Sequence, residues 1–209
     1  MPADPGRWQP LSPTEVADLF RGVSWPWWIA GGWAIDLHVG HRTREHGDID
    51  VLVLRDDQVA VREALDGWDV HAADPPGSLR PWRPGEVLPP RVHDVWCRRA
   101  PDSPWSLQVM IDDARDGLWT YRRDARIARP VAELDGGAAG GDPRVLAAEV
   151  QLLQKSRSPR PKDEADLLAV REALTGPQRD WLVQALTVVA PAHPWLDRLG
   201  EGSREPSGG

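Results

Sequence analysis

The sequence predicts an α+β fold, with a mixed α/β half of about 130 residues followed by a helical half of about 60. Three observations carry this. Short apolar runs alternate with helical patterns as far as residue 134. A glycine-rich stretch, DGGAAGGD at 135–142, then interrupts the chain. Beyond it, apolar residues recur only at helical spacing. The expected division is a domain over 1–134, a helical subdomain over 143–199 and a disordered tail over 200–209.

The elements follow in order. Ser12 caps a first helix, with Pro13 at its first position and Glu15 at capping-box spacing; Val16, Leu19 and Phe20 form its apolar stripe. Trp27-Trp28-Ile29-Ala30 reads as a buried strand stopped by Gly31-Gly32. Trp33 to Val39 reads as a short helix closed by Gly40. Asp48 to Leu54, DIDVLVL, reads as a strand whose first turn carries carboxylates on one face. A helix over 56–65 and a strand over 68–72 come next. The six prolines between 74 and 90 predict an irregular loop. Strands are expected at 92–98, 106–111 and 119–122, and helices at 144–154, 163–174, 178–189 and 193–199.

Composition excludes several classes. Formal net charge is −7, which disfavours stable nucleic-acid binding through a basic face. No apolar run reaches the ~20 residues that span a bilayer. Residues 1–10 lack the basic and apolar regions of a secretory signal, so a cytoplasmic protein is expected. The single cysteine, Cys97, excludes an internal disulfide and a cysteine-based zinc knuckle, and the histidines show no metal-ligand spacing. Of 25 basic residues only Lys155 and Lys162 are lysine, and both lie in KSRSPRPKDEAD, residues 155–166.

The chemistry centres on Gly31-Gly32 and on Asp48-Ile49-Asp50. Residues i and i+2 of a strand share a face, about 7 Å apart. Two carboxylates so placed repel unless a cation lies between or beside them. Mg²⁺ suits them as a hard, oxygen-seeking ion that keeps water positions open for phosphate. Two such ions ~3.5–4 Å apart can serve both the attacking and the leaving oxygen. The glycine pair exposes backbone N–H groups and the following helix N-terminus to an anion. Together they suit a nucleoside triphosphate bound as its magnesium complex. Arg44 stands where its planar fork can grip a phosphate.

Residues 27–54, WWIAGGWAIDLHVGHRTREHGDIDVLVL, resemble the aminoglycoside 2''-adenylyltransferase-like branch of the polymerase-β-type nucleotidyltransferases. The lincosamide nucleotidyltransferases share the pattern. The resemblance implies a mixed sheet with flanking helices, Gly31 and Gly32 on the triphosphate, and Asp48 and Asp50 on Mg²⁺. It implies transfer of a nucleoside monophosphate, AMP from ATP, to a hydroxyl of a small aminoglycoside-like or lincosamide-like acceptor. Similar basic segments in related enzymes put Lys155 or Lys162 on the triphosphate, where either would neutralise charge as pyrophosphate leaves.

One position departs from the family. A third carboxylate is expected on a later strand, and the candidate strand SLQVMID has Gln108 there. A neutral amide cannot take a proton from an acceptor hydroxyl. Asp112 lies about 13 Å further along that strand. Asp94 on the preceding strand is another candidate, and Glu149 in the helical half is a third, since some members of the wider superfamily draw their base from there. Two further functions stay open: a catalytically degenerate nucleotide-binding regulator, and a toxin-like nucleotidyltransferase acting on protein or RNA. Trp28 and Trp33 flank the glycine pair, where either could stack on a nucleobase, with a core role favoured for Trp28.

Overall fold

The structure is a computed structural model describing residues 6–137 and 143–200. Residues 138–142 of the glycine-rich stretch, and the expected tail after Gly200, lie outside the described residues.

Helix α1 (Pro13–Leu19) carries the expected capping box between Ser12 and Glu15. Strand β1 (Trp27–Ala30) runs directly into α2 (Gly31–Val39), which ends on Gly40 at φ +81°. Then come β2 (Asp50–Leu54), α3 (Gln58–Ala64), β3 (Asp69–Ala73), β4 (Leu79–Pro81), β5 (Asp94–Arg98) and β6 (Leu107–Asp112). A small hairpin sheet follows, β7 (Ala114–Arg115), β8 (Leu118–Thr120) and β9 (Ala128–Pro130). The helices α4 (Ala148–Lys155), α5 (Pro161–Val170), α6 (Gly176–Val189) and α7 (Trp195–Gly200) complete the chain.

The main sheet has the order β1-β2-β6-β5-β3-β4. It is mixed: β2 and β6 are parallel and the other neighbours antiparallel. One face packs α1 and α3 through Val16, Phe20, Val61 and Leu65 against Ile29, Val51, Val53 and Val109. The other face carries α2 and α4–α7 on Trp28, Ala30, Leu52 and Leu54. The C-terminal helices thus share a hydrophobic cluster with the sheet. Most of the tryptophans fill these two layers; Trp82, Trp105, Trp119 and Trp195 are fully buried.

Several boundaries differ from expectation, and tertiary pairing explains the first two below. The helix expected from Arg144 starts at Ala148, because residues 144–146 extend the sheet. Ile29 N–H donates to Arg144 O and Leu146 N–H to Ile29 O, both at 2.9 Å. The proline-rich loop contributes β4, which pairs with β3. The strand expected from Asp48 starts at Asp50, although Gln108 N–H still reaches Ile49 O at 2.9 Å.

Candidate nucleotide-binding site

Four elements converge on one cleft of about 340 Å³. Its floor is the sheet face shared by Asp50 on β2 and Gln108 on β6, which are direct partners across the parallel pair. Its back wall is the start of α2, Gly31 and Gly32. Its far wall is the end of α4 and the start of α5. Seven basic side chains line it against five carboxylates, an excess of positive charge in a chain whose net charge is −7. Such local focusing suits a polyanion.

The glycine pair is the first turn of α2 itself, not a turn before a helix beginning at Trp33. Gly31 has φ +68°, a region open to glycine. A Cβ there would stand 2.1 Å from Asp50 Oδ2, so the carboxylate leans directly on the Gly31 backbone. A Cβ on Gly32 would meet Arg44 and His46 at 2.3 and 2.5 Å. Gly31 N–H donates to Gln151 Oε1 at 2.7 Å, and the residue before the helix, Ala30, has no side chain to cap the other N–H groups of the first turn. Its start therefore combines positive partial charge with a backbone that nearby groups can approach closely.

Asp48 and Asp50 both line this cleft. Burial, with Asp48 beside it, pushes the Asp50 carboxyl up to about 7, while Lys155 and Lys162 oppose that rise. A pair held against its own repulsion is a donor set that gains by taking up a cation. Among the described residues no group of three or more His, Cys, Asp or Glu is set to hold a metal ion. A hard ion on these two carboxylates would draw its remaining ligands from water and phosphate oxygens, as Mg²⁺ characteristically does. The donor set fits that ion.

The loop delivering Asp48 is tied to α2. Asp36 accepts from Thr43 N–H at 3.1 Å and from Thr43 Oγ1 at 2.5 Å, and its other oxygen lies 2.5 Å from His46 Nε2. Trp33 packs on His46 with ring centroids 4.7 Å apart, and Trp28 is buried in the core. Neither tryptophan lines the cleft, so neither is placed to stack on a base there.

The basic residues divide by partner. Arg44 borders the cleft, but its fork is closed on Asp166, with Nε at 2.8 Å and Nη2 at 3.0 Å, and Nη1 donates to Glu45 O. It pins the loop to α5 instead of offering a free phosphate grip. Lys155 shares the fully buried Asp166 at 2.9 Å and also meets Asp163 at 3.2 Å. Arg160 closes on Asp163 as well. Lys162, the second residue of α5, lines the cleft with no ion pair among the described residues, as do Arg122, Arg123 and Arg157.

Glu149 does not join the site. It is buried beneath α4, paired with Arg129 of β9 at 2.9 Å, and absent from the cleft wall. The helical turn that buries it points Gln151, Gln154 and Lys155 into the cleft instead. Asp112 reaches the cleft but accepts from Trp119 Nε1 at 2.9 Å and Gln154 Nε2 at 3.0 Å, and burial raises its pKa. Gln108 Nε2 donates to Asp94 Oδ1 at 3.0 Å, so the amide and the neighbouring strand's acid act as a pair. Gln151, Gln154, Arg122, Arg123 and Arg157 are cleft residues that the sequence did not single out. The signal for the first two was the 151/154/155 spacing, a polar stripe on an otherwise apolar helix.

Comparison with known proteins agrees with this picture. Residues 14–75 match the family profile described as aminoglycoside-2''-adenylyltransferase. A lincosamide resistance protein of Staphylococcus haemolyticus is 42% identical over 36 residues. That match spans 17% of this chain and 22% of the relative, about a fifth of its length. Among solved structures, the lincosamide antibiotic adenylyltransferase LnuA with lincomycin bound aligns with a TM-score of 0.55 at 18% identity, over 81% of this chain and 100% of that one. The solution structure of the antibiotic-resistance factor ANT(2'')-Ia aligns with a TM-score of 0.55 at 18% identity, over 90% and 95%. ANT(2'')-Ia in complex with adenylyl-2''-tobramycin gives 0.52 at 18% identity, over 85% and 95%. The resemblance seen in residues 27–54 therefore holds in family profile, curated relative and fold.

Proposed function

We propose that this chain, which resembles the aminoglycoside 2''-adenylyltransferase-like and lincosamide nucleotidyltransferase-like proteins in its N-terminal segment and its fold, is a Mg²⁺-dependent nucleotidyltransferase. It transfers a nucleoside monophosphate, AMP from ATP, to a hydroxyl of a small aminoglycoside-like or lincosamide-like acceptor. The observation that supports this most is the Asp48–Asp50 pair in one cleft with the glycine start of α2, Asp50 lying against Gly31.

In this scheme Asp48 and Asp50 hold the metal, and Gly31 and Gly32 let the triphosphate approach the helix start. Bound Mg²⁺ supplies neutralisation of phosphate charge and polarisation of the α-phosphate. Lys162, with Arg122, Arg123 and Arg157, has charge to spare for the departing pyrophosphate. Lys155 and Arg44, anchored on Asp166, keep the α5 wall positive and in place. The acceptor oxygen bonds to the α-phosphorus, the bond from that phosphorus to the β-bridging oxygen breaks, and pyrophosphate leaves.

Asp48→Asn and Asp50→Asn test it. Each should lower pyrophosphate release by at least about 100-fold while circular dichroism stays native. Undiminished release in either variant refutes the assignment. Gln108 favours one alternative, a nucleotide-binding regulator without turnover. Calorimetric binding of Mg-ATP with no pyrophosphate release across the acceptor panel would select it.

A further inference from the structure

A second cavity of about 370 Å³ lies beside the first, and Asp94 and Gln108 line both. Its other walls are Trp96 of β5, Ala73 at the end of β3, and the turn 77–79 leading into β4. The sheet register makes the two cavities neighbours. Asp50 faces Gln108 across β2 and β6, and Gln108 faces Trp96 across β6 and β5. Moving across this face from the carboxylate pair, away from α5, one therefore crosses Gln108 and Asp94 and enters the second cavity.

In-line displacement requires the attacking and leaving oxygens on opposite sides of the phosphorus. The basic α4–α5 wall suits the leaving pyrophosphate. The entering hydroxyl then comes from the β5 side. The group standing there is Asp94. Its Oδ1 is held by Gln108 Nε2 at 3.0 Å, and Oδ2 has no hydrogen-bond partner among the described residues. The acid missing from the Gln108 position thus has a counterpart one strand away, with the amide steadying it.

We propose that the second cavity is the acceptor subsite, that Asp94 is the general base, and that the acceptor is a hydroxylated ring compound with a substantial apolar part. This rests on the nucleotidyltransferase function proposed above. The acceptor O–H gives its proton to the Asp94 carboxylate as its oxygen bonds to the α-phosphorus and pyrophosphate departs. Gln108 is a positioning residue. The acceptor class follows from the lining. Trp96 is wedged edge-on between Trp8 and Trp105, with centroids 5.0 and 5.6 Å away, and offers a fixed aromatic wall. Ala73 and Leu79 add aliphatic surface. Asp94 is the one carboxylate there among the described residues, and it already holds an amide. Such a pocket suits an apolar ring face better than a polycation, which needs several carboxylates to replace its water.

The experiment measures pyrophosphate release with Mg-ATP and either lincomycin or tobramycin, together with calorimetric binding of each compound. Lincomycin should bind and turn over in preference to tobramycin. Asp94→Asn should lower kcat by about 100-fold or more with the KM for ATP unchanged. Trp96→Ala should raise the KM for lincomycin about tenfold and leave the KM for ATP alone. Gln108→Leu should lower kcat with both KM values kept. Full kcat in Asp94→Asn, an effect of Trp96→Ala on ATP alone, a preference for tobramycin, or no binding of lincomycin each overturns the proposal. Absence of pyrophosphate release from the parent protein with either compound would instead refute the nucleotidyltransferase function, and lincomycin binding lost in Trp96→Ala would still uphold the cavity.

Discussion

Replacing Gly31 with alanine places a methyl group where the structure has a carboxylate. Two costs follow, and a second glycine separates them. The first is backbone strain, because φ +68° costs an L-residue about 1–2 kcal/mol. Gly40, at φ +81° with nothing within 4 Å of an added Cβ, bears that cost alone. The second is peculiar to Gly31. A Cβ 2.1 Å from Asp50 Oδ2 must push the oxygen out to the 3.4 Å of ordinary contact, a shift of roughly 1.3 Å. Misplacing a catalytic group by about 1 Å costs on the order of 100-fold in rate. Gly40→Ala should therefore lose about 1–2 kcal/mol in urea unfolding and keep kcat/KM within about twofold of the parent. Gly31→Ala should lose at least as much stability and about 100-fold in pyrophosphate release. A domain with ordinary stability of about 5–15 kcal/mol stays folded through either change. Equal turnover in the two variants would refute the coupling between the Gly31 backbone and the Asp50 carboxylate.

Three further outcomes are expected. Glu149→Gln should leave transfer within about twofold, and Glu149→Ala should cost about 1–3 kcal/mol in urea unfolding by leaving Arg129 only its longer pair with Glu133; a transfer defect in folded Glu149→Gln would return that residue to the chemistry. Asp163, held at about 2 by Arg160 and Lys155 against its own burial, contributes stability that is whole above the usual carboxylate value near 3.8 and is lost as pH falls toward 2. Thermal unfolding of Asp163→Asn should then vary less with pH across that window. Asp50 has the opposite sign: its native carboxyl stays protonated up to about 7 while the unfolded one ionises near 3.8, so stability declines between those values. Asp50→Asn should raise the Tm of the metal-free protein at pH 8 while abolishing transfer.

How far the sequence reaches can be seen at particular residues. The α1 capping box and the Gly40 cap are set within one helical turn, and both were legible. The two acids were legible as neighbours in one cleft, although β2 begins only at Asp50 and Asp48 reaches the cleft from the loop ahead of it. What failed was set by distant partners. Arg44 resembles a phosphate ligand until Asp166, 122 residues away, occupies its fork. Glu149 resembles a free acid on a helix until β9 brings Arg129 against it. Residues 144–146 have helical periodicity yet bond to the edge of β1, since an unpaired strand edge offers backbone partners that a first helical turn lacks. Asp94 was legible as a candidate, whereas the cavity behind it depends on β3, β4 and β5 meeting.

The same distances explain why the cleft needs both ends of the chain. The carboxylate pair and the glycine helix start come from residues 31–50, and left alone they would present two repelling acids beside an N-terminus that neutralises only about half a charge. The compensating cations come from residues 155–162. Asp166 fixes one set against the other: it is fully buried and binds Arg44 from the first segment and Lys155 from the second. Removing it would leave Arg44 without its carboxylate and Lys155 with Asp163 alone, a loss of about 1–3 kcal/mol, and would loosen the wall that carries Lys162. The nearly complete replacement of lysine by arginine in this chain is consistent with that arrangement. Lys155 sits between two aspartates as a compact ammonium that reaches both.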